Sequence, residues 1–215
     1  MFNRLLQPIH NKSTPDQPIN FGFKNQWLAI KSKDNEKIIK ALRLQKVRAC
    51  NWKEGVHFGY TKGVFITPEI NGWTLVLGID ILDLESDGTQ EFLKRISNDF
   101  EECQLFFTNR NVEYHFWGLA RHGKIKRLYS YFGEEGNLIV KGKATAIENS
   151  LDLVKKISNS NNEKNSENIT GYIPNEDTVM FIAENWSVNP SKIENYVNVS
   201  GLGFIGRWRS LNQKP

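Results

Sequence analysis

The sequence predicts an α+β fold in which a central, mostly antiparallel sheet is packed against helices. Three observations lead to this prediction: segments with strand-like apolar alternation, short Gly-containing turns that join neighbouring strands, and several segments with apolar residues at helical spacing. Strands joined by short turns pair antiparallel, and amphipathic helices cover the apolar faces of such a sheet. A small helical segment is expected to follow this sheet at the C-terminus.

Composition limits the classes of protein to which the chain can belong. It has 215 residues, of which 39% are hydrophobic and 12% aromatic, so it can bury a sizeable core. The formal net charge is +4, and the 28 basic and 24 acidic residues are mixed along the chain. No long basic run indicates nucleic acid or an anionic membrane. Two cysteines, without an apolar leader or a membrane-length apolar run, predict a cytoplasmic protein with buried thiols.

Four segments follow from changes in composition along the chain. Residues 1–24 contain three prolines and show no periodicity, which predicts an N-terminal arm. Residues 25–157 carry the sheet and helix patterns of the α+β domain. Residues 158–172 are rich in Ser, Asn, Glu and Lys and predict a polar linker. Residues 173–215 are expected to form a C-terminal helical segment that packs on the main domain.

The elements of the first half are placed by capping and turn residues. Asp34 or Asn35 can cap a helix, and Asn51 with Glu54 resembles a second capped turn. The dipeptide Asn71-Gly72 favours the two-residue type I′ turn of a hairpin. The predicted elements are a strand at 26–31, a helix from 35 to about 44, a strand at 47–50, a helical turn at 51–55, and strands at 64–67 and 73–77.

The elements of the second half begin with an acidic loop at 79–88, which precedes an amphipathic helix. The predicted elements are a helix at 89–100, strands at 103–108, 112–122, 125–132 and 137–141, and helices at 145–157 and 176–186. A helical turn at Pro190 and an apolar tail to Trp208 complete the pattern.

The hairpin at 112–132 has the clearest local signal. With Gly123 and Lys124 as a type II′ turn, residues Tyr114, Arg127, Tyr129 and Tyr131 share one face of the sheet, and His115 lies on the other face. Both faces are substantially apolar. The hairpin is therefore expected in the middle of the sheet, covered on two sides.

Two motif matches lack the context that their chemistry requires. The residues from Gly201 to Gly206 match G-x-G-x-x-G, but the helix and the acidic residue of a dinucleotide site do not follow up to Pro215. The residues from Asp83 to Gly88 resemble the start of an EF-hand loop, but Lys94 stands at the position of the bidentate Glu. No metal, cofactor or catalytic residue is therefore assigned, and the acidic loop is expected to stabilise the next helix.

A group of polar and aromatic side chains around the hairpin is the candidate binding site. Its members are Trp52, Trp73, Arg110, Tyr114, His115, Arg127, Tyr129 and Tyr131. Arg and aromatic residues carry much of the binding energy in protein interfaces, and they also stack on single-stranded nucleic acid. The alternative is a sheet face packed under a helix with the tip of Arg127 reaching solvent, and with His115 a packed core residue.

An ordered set of motifs resembles a group of bacterial proteins with no established activity. The motifs are Asn51-Trp52-x-x-Gly55, Phe65-x-Thr67-Pro68, Gly72-Trp73-x-Leu75-Val76-x-Gly78, Tyr114-His115-x-Trp117 and Gly123-Lys124-x-x-Arg127-x-Tyr129. The resemblance covers roughly residues 27–148, and it implies no catalytic residue and no cofactor.

Three functional hypotheses remain at this point. The first is a non-catalytic protein-binding module, as in bacterial immunity or accessory proteins, whose partner is another protein and not a membrane. The second is an enzyme that uses His115 and Arg110 with Glu113 or Glu54. The third and weakest is single-stranded nucleic-acid binding, which should weaken steeply with salt. The sequence leaves the oligomeric state open.

Overall fold

The computed structural model describes residues 14–81, 83–133, 135–151, 153, 172–196 and 199–208. These residues form one nine-stranded sheet with helices, which confirms the predicted α+β class. The strands are β1 (Gln26–Ile30), β2 (Gln45–Cys50), β3 (Val64–Ile66), β4 (Thr74–Leu77), β5 (Glu102–Asn109), β6 (Tyr114–Arg121), β7 (Lys124–Phe132), β8 (Gly136–Lys141) and β9 (Gly203–Arg207). The helices are α1 (Asn35–Ala41), α2 (Trp52–Thr61), α3 (Asp87–Phe100), α4 (Ala146–Ser150), α5 (Glu176–Trp186) and a 3₁₀ helix (Pro190–Asn195).

The sheet has the strand order β2-β9-β3-β4-β1-β5-β6-β7-β8, and every neighbouring pair is antiparallel. The hairpin of β6 and β7 is paired on both sides, as expected, but it lies towards the β8 edge rather than in the middle. This position brings the turn between β5 and β6 close to α5.

Strand β9 was not predicted, because the residues after 173 were expected to be helical. It contains the last four residues of the G-x-G-x-x-G match, Gly203 to Gly206, and inserts between β2 and β3. A Cβ at Gly203 would lie 2.4 Å from the carbonyl oxygen of Ile66, so close strand packing explains this glycine. Most of the motif is therefore part of the sheet, and no helix follows it among the described residues.

Helices cover both faces of the sheet. On one face, α2 and α5 pack on a core that includes Trp27, Phe65, Phe106 and Trp117. On the other face, α1 and α3 pack on a separate core around Leu28, Val76, Leu105 and Phe116. No helix among the described residues has the length and apolar character needed to cross a bilayer.

The acidic loop before α3 builds the start of that helix, as expected. Ser86 is the N-cap, and its hydroxyl oxygen accepts a hydrogen bond from the amide of Thr89 at 3.2 Å. The carbonyl oxygen of Asp83 accepts from the hydroxyls of Ser86 and Thr89. These bonds satisfy groups at the helix terminus, so the resemblance to an EF-hand loop reflects capping.

The predicted register of the β6–β7 hairpin is wrong by one residue. The two turn residues are His122 and Gly123, with φ angles of 47° and 70°, rather than Gly123 and Lys124. Moving the turn by one residue shifts the strand pairing by two, and a β-bulge between Leu119 and Ala120 shifts it back by one, which leaves a net shift of one residue. Since side chains alternate along a strand, a shift of one residue exchanges the two faces. His115 therefore shares a face with Arg127, Tyr129 and Tyr131, as the pairs His115–Tyr131 and Trp117–Tyr129 show, and Tyr114 lies on the opposite face.

The described part of the N-terminal arm packs on the domain. The carboxylate of Asp16 accepts hydrogen bonds from the amides of Trp52 and Lys53 at the start of α2, at 2.6 and 3.0 Å. Phe21 is buried, and its amide donates to the carbonyl oxygen of Pro190. The first thirteen residues of the arm, the predicted linker up to residue 171, and the end of the predicted helix 145–157 lie outside the described residues.

Candidate functional site

The eight predicted binding residues do not form one exposed surface. Five of them are buried in the core: Trp52, His115, Arg127, Tyr129 and Tyr131. Trp73 and Tyr114 are half-buried, and Arg110 is exposed. The expected surface is therefore largely interior, because the helices α2, α4 and α5 cover the face on which most of these residues lie.

Arg127 belongs to a buried polar network. Its Nε donates to Oε1 of Glu148 at 2.6 Å, and its NH1 donates to the carbonyl oxygen of Gly142 at 3.0 Å. The indole Nε1 of Trp117 donates to the same Oε1 at 2.9 Å, and the amide of Thr145 donates to Oε2 at 2.8 Å. Glu148 thus gives the guanidinium an internal counter-charge, and Arg127 has a structural role.

The buried tyrosines are also held by internal contacts. Tyr129 stacks on Trp117 with ring centroids 4.2 Å apart, and its hydroxyl donates to Oδ1 of Asn137 at 2.6 Å. The hydroxyl of Tyr131 donates to the carbonyl oxygen of Gly133 at 3.3 Å. Burial raises the pKa of both tyrosines above the usual range. These rings are core residues, as the alternative interpretation of the sequence expected. That interpretation was wrong about the arginine, because the side chain of Arg127 pairs with Glu148 inside the protein and does not reach solvent.

Tyr114, on the opposite face, is tied to the loop before α3. Its hydroxyl donates to Oε1 of Glu85 at 2.6 Å, and its ring lies edge-on to Phe107. Burial, and then the hydrogen bond to Glu85, raise the pKa of Tyr114. Tyr114 is therefore separated by the sheet from the other predicted site residues of the hairpin.

The structure nevertheless brings Arg110, Glu113 and His115 together in a cleft of about 280 Å³. Arg110 and Glu113 come from the turn between β5 and β6, and His115 comes from the start of β6. The opposite wall is formed by residues 173–177, where α5 begins. We call this site, lined by Arg110, Glu113, His115 and residues 173–177, the acidic cleft. Glu54 is not part of the acidic cleft. It lies on α2, where its carboxylate forms an ion pair with Arg48 of β2.

His115 lies at the bottom of the acidic cleft and is only 2% exposed. Its Nδ1 lies 2.8 Å from the hydroxyl oxygen of Thr108, its neighbour on β5. This hydrogen bond occupies one ring nitrogen and leaves Nε2 for a ligand. Burial lowers the pKa of His115 to about 4, so the imidazole is neutral at neutral pH.

The helix wall of the cleft is set by the cap of α5. The side chain of Asn175 accepts from the amide of Thr178 at 3.0 Å, and the hydroxyl of Thr178 accepts from the amide of Asn175 at 3.0 Å. This capping box fixes Glu176 and Asp177 in the first turn, beside the positive end of the helix dipole.

Glu176 is the least satisfied group in the cleft. Its Oε2 lies 3.9 Å from NH1 of Arg110, a long ion pair. Its Oε1 is buried and has no hydrogen-bond partner among the described residues. Across the cleft, Glu113 has a φ of 47°, an unusual left-handed conformation for a residue with a side chain. Strained backbone of this kind is concentrated at functional sites.

Sequence reasoning found one wall of this cleft and missed the other. Arg110, Glu113 and His115 were candidates for the site of the alternative enzyme hypothesis. Glu176 and Asp177 were missed, since no local pattern links them to a turn more than sixty residues earlier. The only signal was the capping sequence that begins at Asn175, and it predicts a helix start rather than a site.

The cleft does not have the ligand geometry of a metal centre. Among the residues that the structure describes, no group of three or more His, Cys, Asp or Glu side chains is arranged to hold a metal ion. Its groups are instead suited to hydrogen bonding and to attraction of a positive charge. No family model, curated protein or solved structure matches this chain.

Proposed function

We propose that this protein is a recognition protein whose acidic cleft accepts a Lys or Arg side chain from a partner protein. The observation that carries the proposal is the poorly paired carboxylate of Glu176: its buried Oε1 has no hydrogen-bond partner among the described residues, and its Oε2 has a long ion pair of 3.9 Å to Arg110. A buried carboxylate oxygen without a donor costs folding free energy. An ammonium or guanidinium group that takes the place of Arg110 would give this carboxylate a short hydrogen bond at Oε2 and a counter-charge.

The charge of the cleft supports a cationic ligand. Three carboxylate residues, Glu113, Glu176 and Asp177, line the cleft together with a single guanidinium, that of Arg110. The side chain of Arg110 is 71% exposed and lies 3.9 Å from Glu176, so it can move aside without breaking a short ion pair. The remaining negative field attracts a positive group and repels phosphate, which argues against nucleic acid at this site.

The rim of the cleft supports a protein rather than a free amine. Val112, Tyr172 and Ile173 are 48%, 43% and 48% exposed, and they lie in or beside the two segments that form the cleft. Exposed apolar groups beside a charged anchor are typical of protein interfaces. The volume of about 280 Å³ is enough for one long side chain.

The state of His115 favours recognition over proton transfer. A general base at neutral pH works best when its pKa is near the pH of the reaction, and that of His115 is lowered to about 4. A neutral imidazole with Thr108 on one nitrogen can form a hydrogen bond to a ligand through the other. The bacterial immunity or accessory role stays a prediction from the sequence.

The proposal is tested by crosslinking from the rim and by a double-mutant cycle. A photoreactive residue at position 112 should form an adduct with a protein of the native host, and the same residue at exposed position 36 on α1 should not. With the captured partner, Glu176→Gln should weaken binding about tenfold or more, because a charge-assisted bond is lost. Glu36→Gln is the matched control and should bind like the wild type.

The cycle then identifies the anchor. Replacing the partner's anchoring Lys or Arg should weaken binding as much as Glu176→Gln, and combining the two changes should add little. Unchanged binding by Glu176→Gln, or adducts that form equally well from position 36, would show that the cleft is not the recognition site.

A further inference from the structure

A second cleft, independent of the acidic cleft, opens where the end of α2 meets β1, β4 and β9. It has a volume of about 530 Å³, within the usual range for small-molecule sites. Its wall includes Lys24, Tyr60, Lys62, Asp80, Arg207 and Trp208, and we call this set the basic cleft. Its size and its residues differ from those of the acidic cleft, so a different ligand is expected.

Positive charge dominates the basic cleft. Lys24, Lys62 and Arg207 come from three separate segments, and among the described residues none of their side chains has a salt-bridge or hydrogen-bond partner. Asp80 is the only acidic residue in the described wall. Three unpaired cations around one cavity repel one another, and an anion between them would relieve that repulsion.

The floor of the cleft is rigid backbone. Gly78 has a φ of 86°, and a Cβ there would lie 2.2 Å from the carbonyl oxygen of Gly63 and 2.5 Å from that of Gly59. The backbone of Gly78 therefore packs directly on the backbone of Gly59 and Gly63. Such a floor is preorganised, which lowers the entropic cost of binding.

The carbonyl end of α2 would oppose an anion if its oxygens were unpaired. The carbonyl oxygen of Phe58 accepts from the amides of Lys62 and Gly63, at 2.8 and 3.1 Å. The carbonyl oxygen of Gly59 accepts from the side-chain amide of Asn25 at 3.3 Å. These bonds cap the helix end, so the three cations outweigh its partial negative charge.

Two aromatic rings complete the wall. Tyr60 is held in place because its hydroxyl accepts from the amide of Gly22 and donates to the carbonyl oxygen of Phe23, both at 3.0 Å. Trp208 lies edge-on to Phe92, with ring centroids 5.4 Å apart. Fixed rings of this kind can stack on a flat ligand.

From this combination we infer that the basic cleft binds a small ligand with phosphate groups and a flat ring, of the nucleoside phosphate class. Lys62 and Arg207 bind the phosphate oxygens, and Trp208 contacts the ring. The site does not depend on the function proposed for the acidic cleft, and either can fail without the other.

The test is titration calorimetry with ADP and with pyrophosphate. ADP should bind to the full chain, and Lys62→Ala or Arg207→Ala should each weaken binding about tenfold, since each removes a charge-assisted contact. Lys40→Ala removes an exposed cation on α1, outside the cleft, and should bind ADP like the wild type. All three changes are at exposed positions, and thermal unfolding checks that each variant is folded.

The two ligands separate the contribution of the ring from that of the phosphates. ADP should bind more tightly than pyrophosphate, and Trp208→Leu should reduce that difference. Equal affinity for the two ligands would overturn the nucleoside class. The absence of ADP binding at millimolar concentration, or full binding by Lys62→Ala and Arg207→Ala, would overturn the site.

Discussion

Removing the carboxylate of Glu148 tests whether this internal partner holds Arg127 in the core. Glu148 is buried and accepts hydrogen bonds from Nε of Arg127, from the indole of Trp117, and from the amide and hydroxyl of Thr145. In Glu148→Ala all of these donors lose their acceptor. The guanidinium of Arg127 also remains buried without a counter-charge.

The expected loss of stability follows from this geometry. Removing one partner of a buried ion pair costs about 3–5 kcal/mol. The unpaired indole of Trp117 contributes to the same loss and is not simply added to it. Replacing both charges, in Arg127→Met with Glu148→Leu, leaves no buried charge and should be within about 2 kcal/mol of the wild type.

Urea unfolding followed by tryptophan fluorescence measures these free energies. Glu36→Ala, which removes an exposed carboxylate from the first turn of α1, is the control and should cost less than about 1 kcal/mol. A loss below about 1 kcal/mol for Glu148→Ala would refute the argument that Arg127 depends on this partner. A double variant as unstable as the single one would refute the argument that the unpaired charge causes the loss.

Three further predictions concern packing, pH and thiol chemistry. Gly203→Ala places a Cβ 2.4 Å from a backbone oxygen of β3 and should destabilise the fold by more than about 2 kcal/mol in the same urea experiment. Gly88→Ala is the control at an uncrowded position on α3, and it should stabilise the fold by about 0.5–1 kcal/mol. The pKa of His115 falls from 6.5 to about 4 on folding, so the folded protein binds fewer protons and loses stability as the pH falls from 6.5 towards 4. From pH 7 to 5 this loss should be about 2 kcal/mol, and His115→Gln should lack it in unfolding curves; the same loss in the variant would contradict the assignment. Burial raises the pKa of Cys50 to about 12 and raises that of Cys103 further, so a thiol reagent should label neither in the folded protein and both after denaturation.

Local signals predicted the fold class and most elements correctly. Asn71 and Gly72 have φ angles of 52° and 86°, the left-handed pair that a type I′ turn requires, and the strands on either side form where the alternation predicts them. The N-caps of α1, α2 and α3 also lie at or next to residues suited to that role. In each case the determining contacts are within a few residues of one another.

The hairpin register could not be predicted from the same local signals. Both His122-Gly123 and Gly123-Lys124 are acceptable two-residue turns by composition. The amide of Gly123 donates to the hydroxyl of Ser97, and that of His122 donates to the carbonyl oxygen of Glu101, so α3 and the residue after it select the turn. These contacts join segments that no periodicity connects.

The candidate site, like the hairpin register, could be predicted only in part from local signals. Its turn residues were recognised from their chemistry, but the pairing of Arg127 with Glu148 and the approach of Glu176 to Arg110 depend on how α4 and α5 dock. The sequence does not distinguish an arginine that forms an internal ion pair from one that binds a partner protein. Only the position of the carboxylate distinguishes them.

Strand β9 comes last in the chain, but β2 and β3 need it to complete their pairing. Among the strands that the structure describes, β2 pairs with β9 alone, and β3 loses one of its two neighbours without β9. Before residues 203–207 have been synthesised, β3 is an edge strand with unpaired backbone amides and carbonyls. Strand β2 then has no neighbouring strand with which to pair. Exposed edge strands favour association between chains. A protein truncated before residue 203 should therefore aggregate rather than form a smaller native structure.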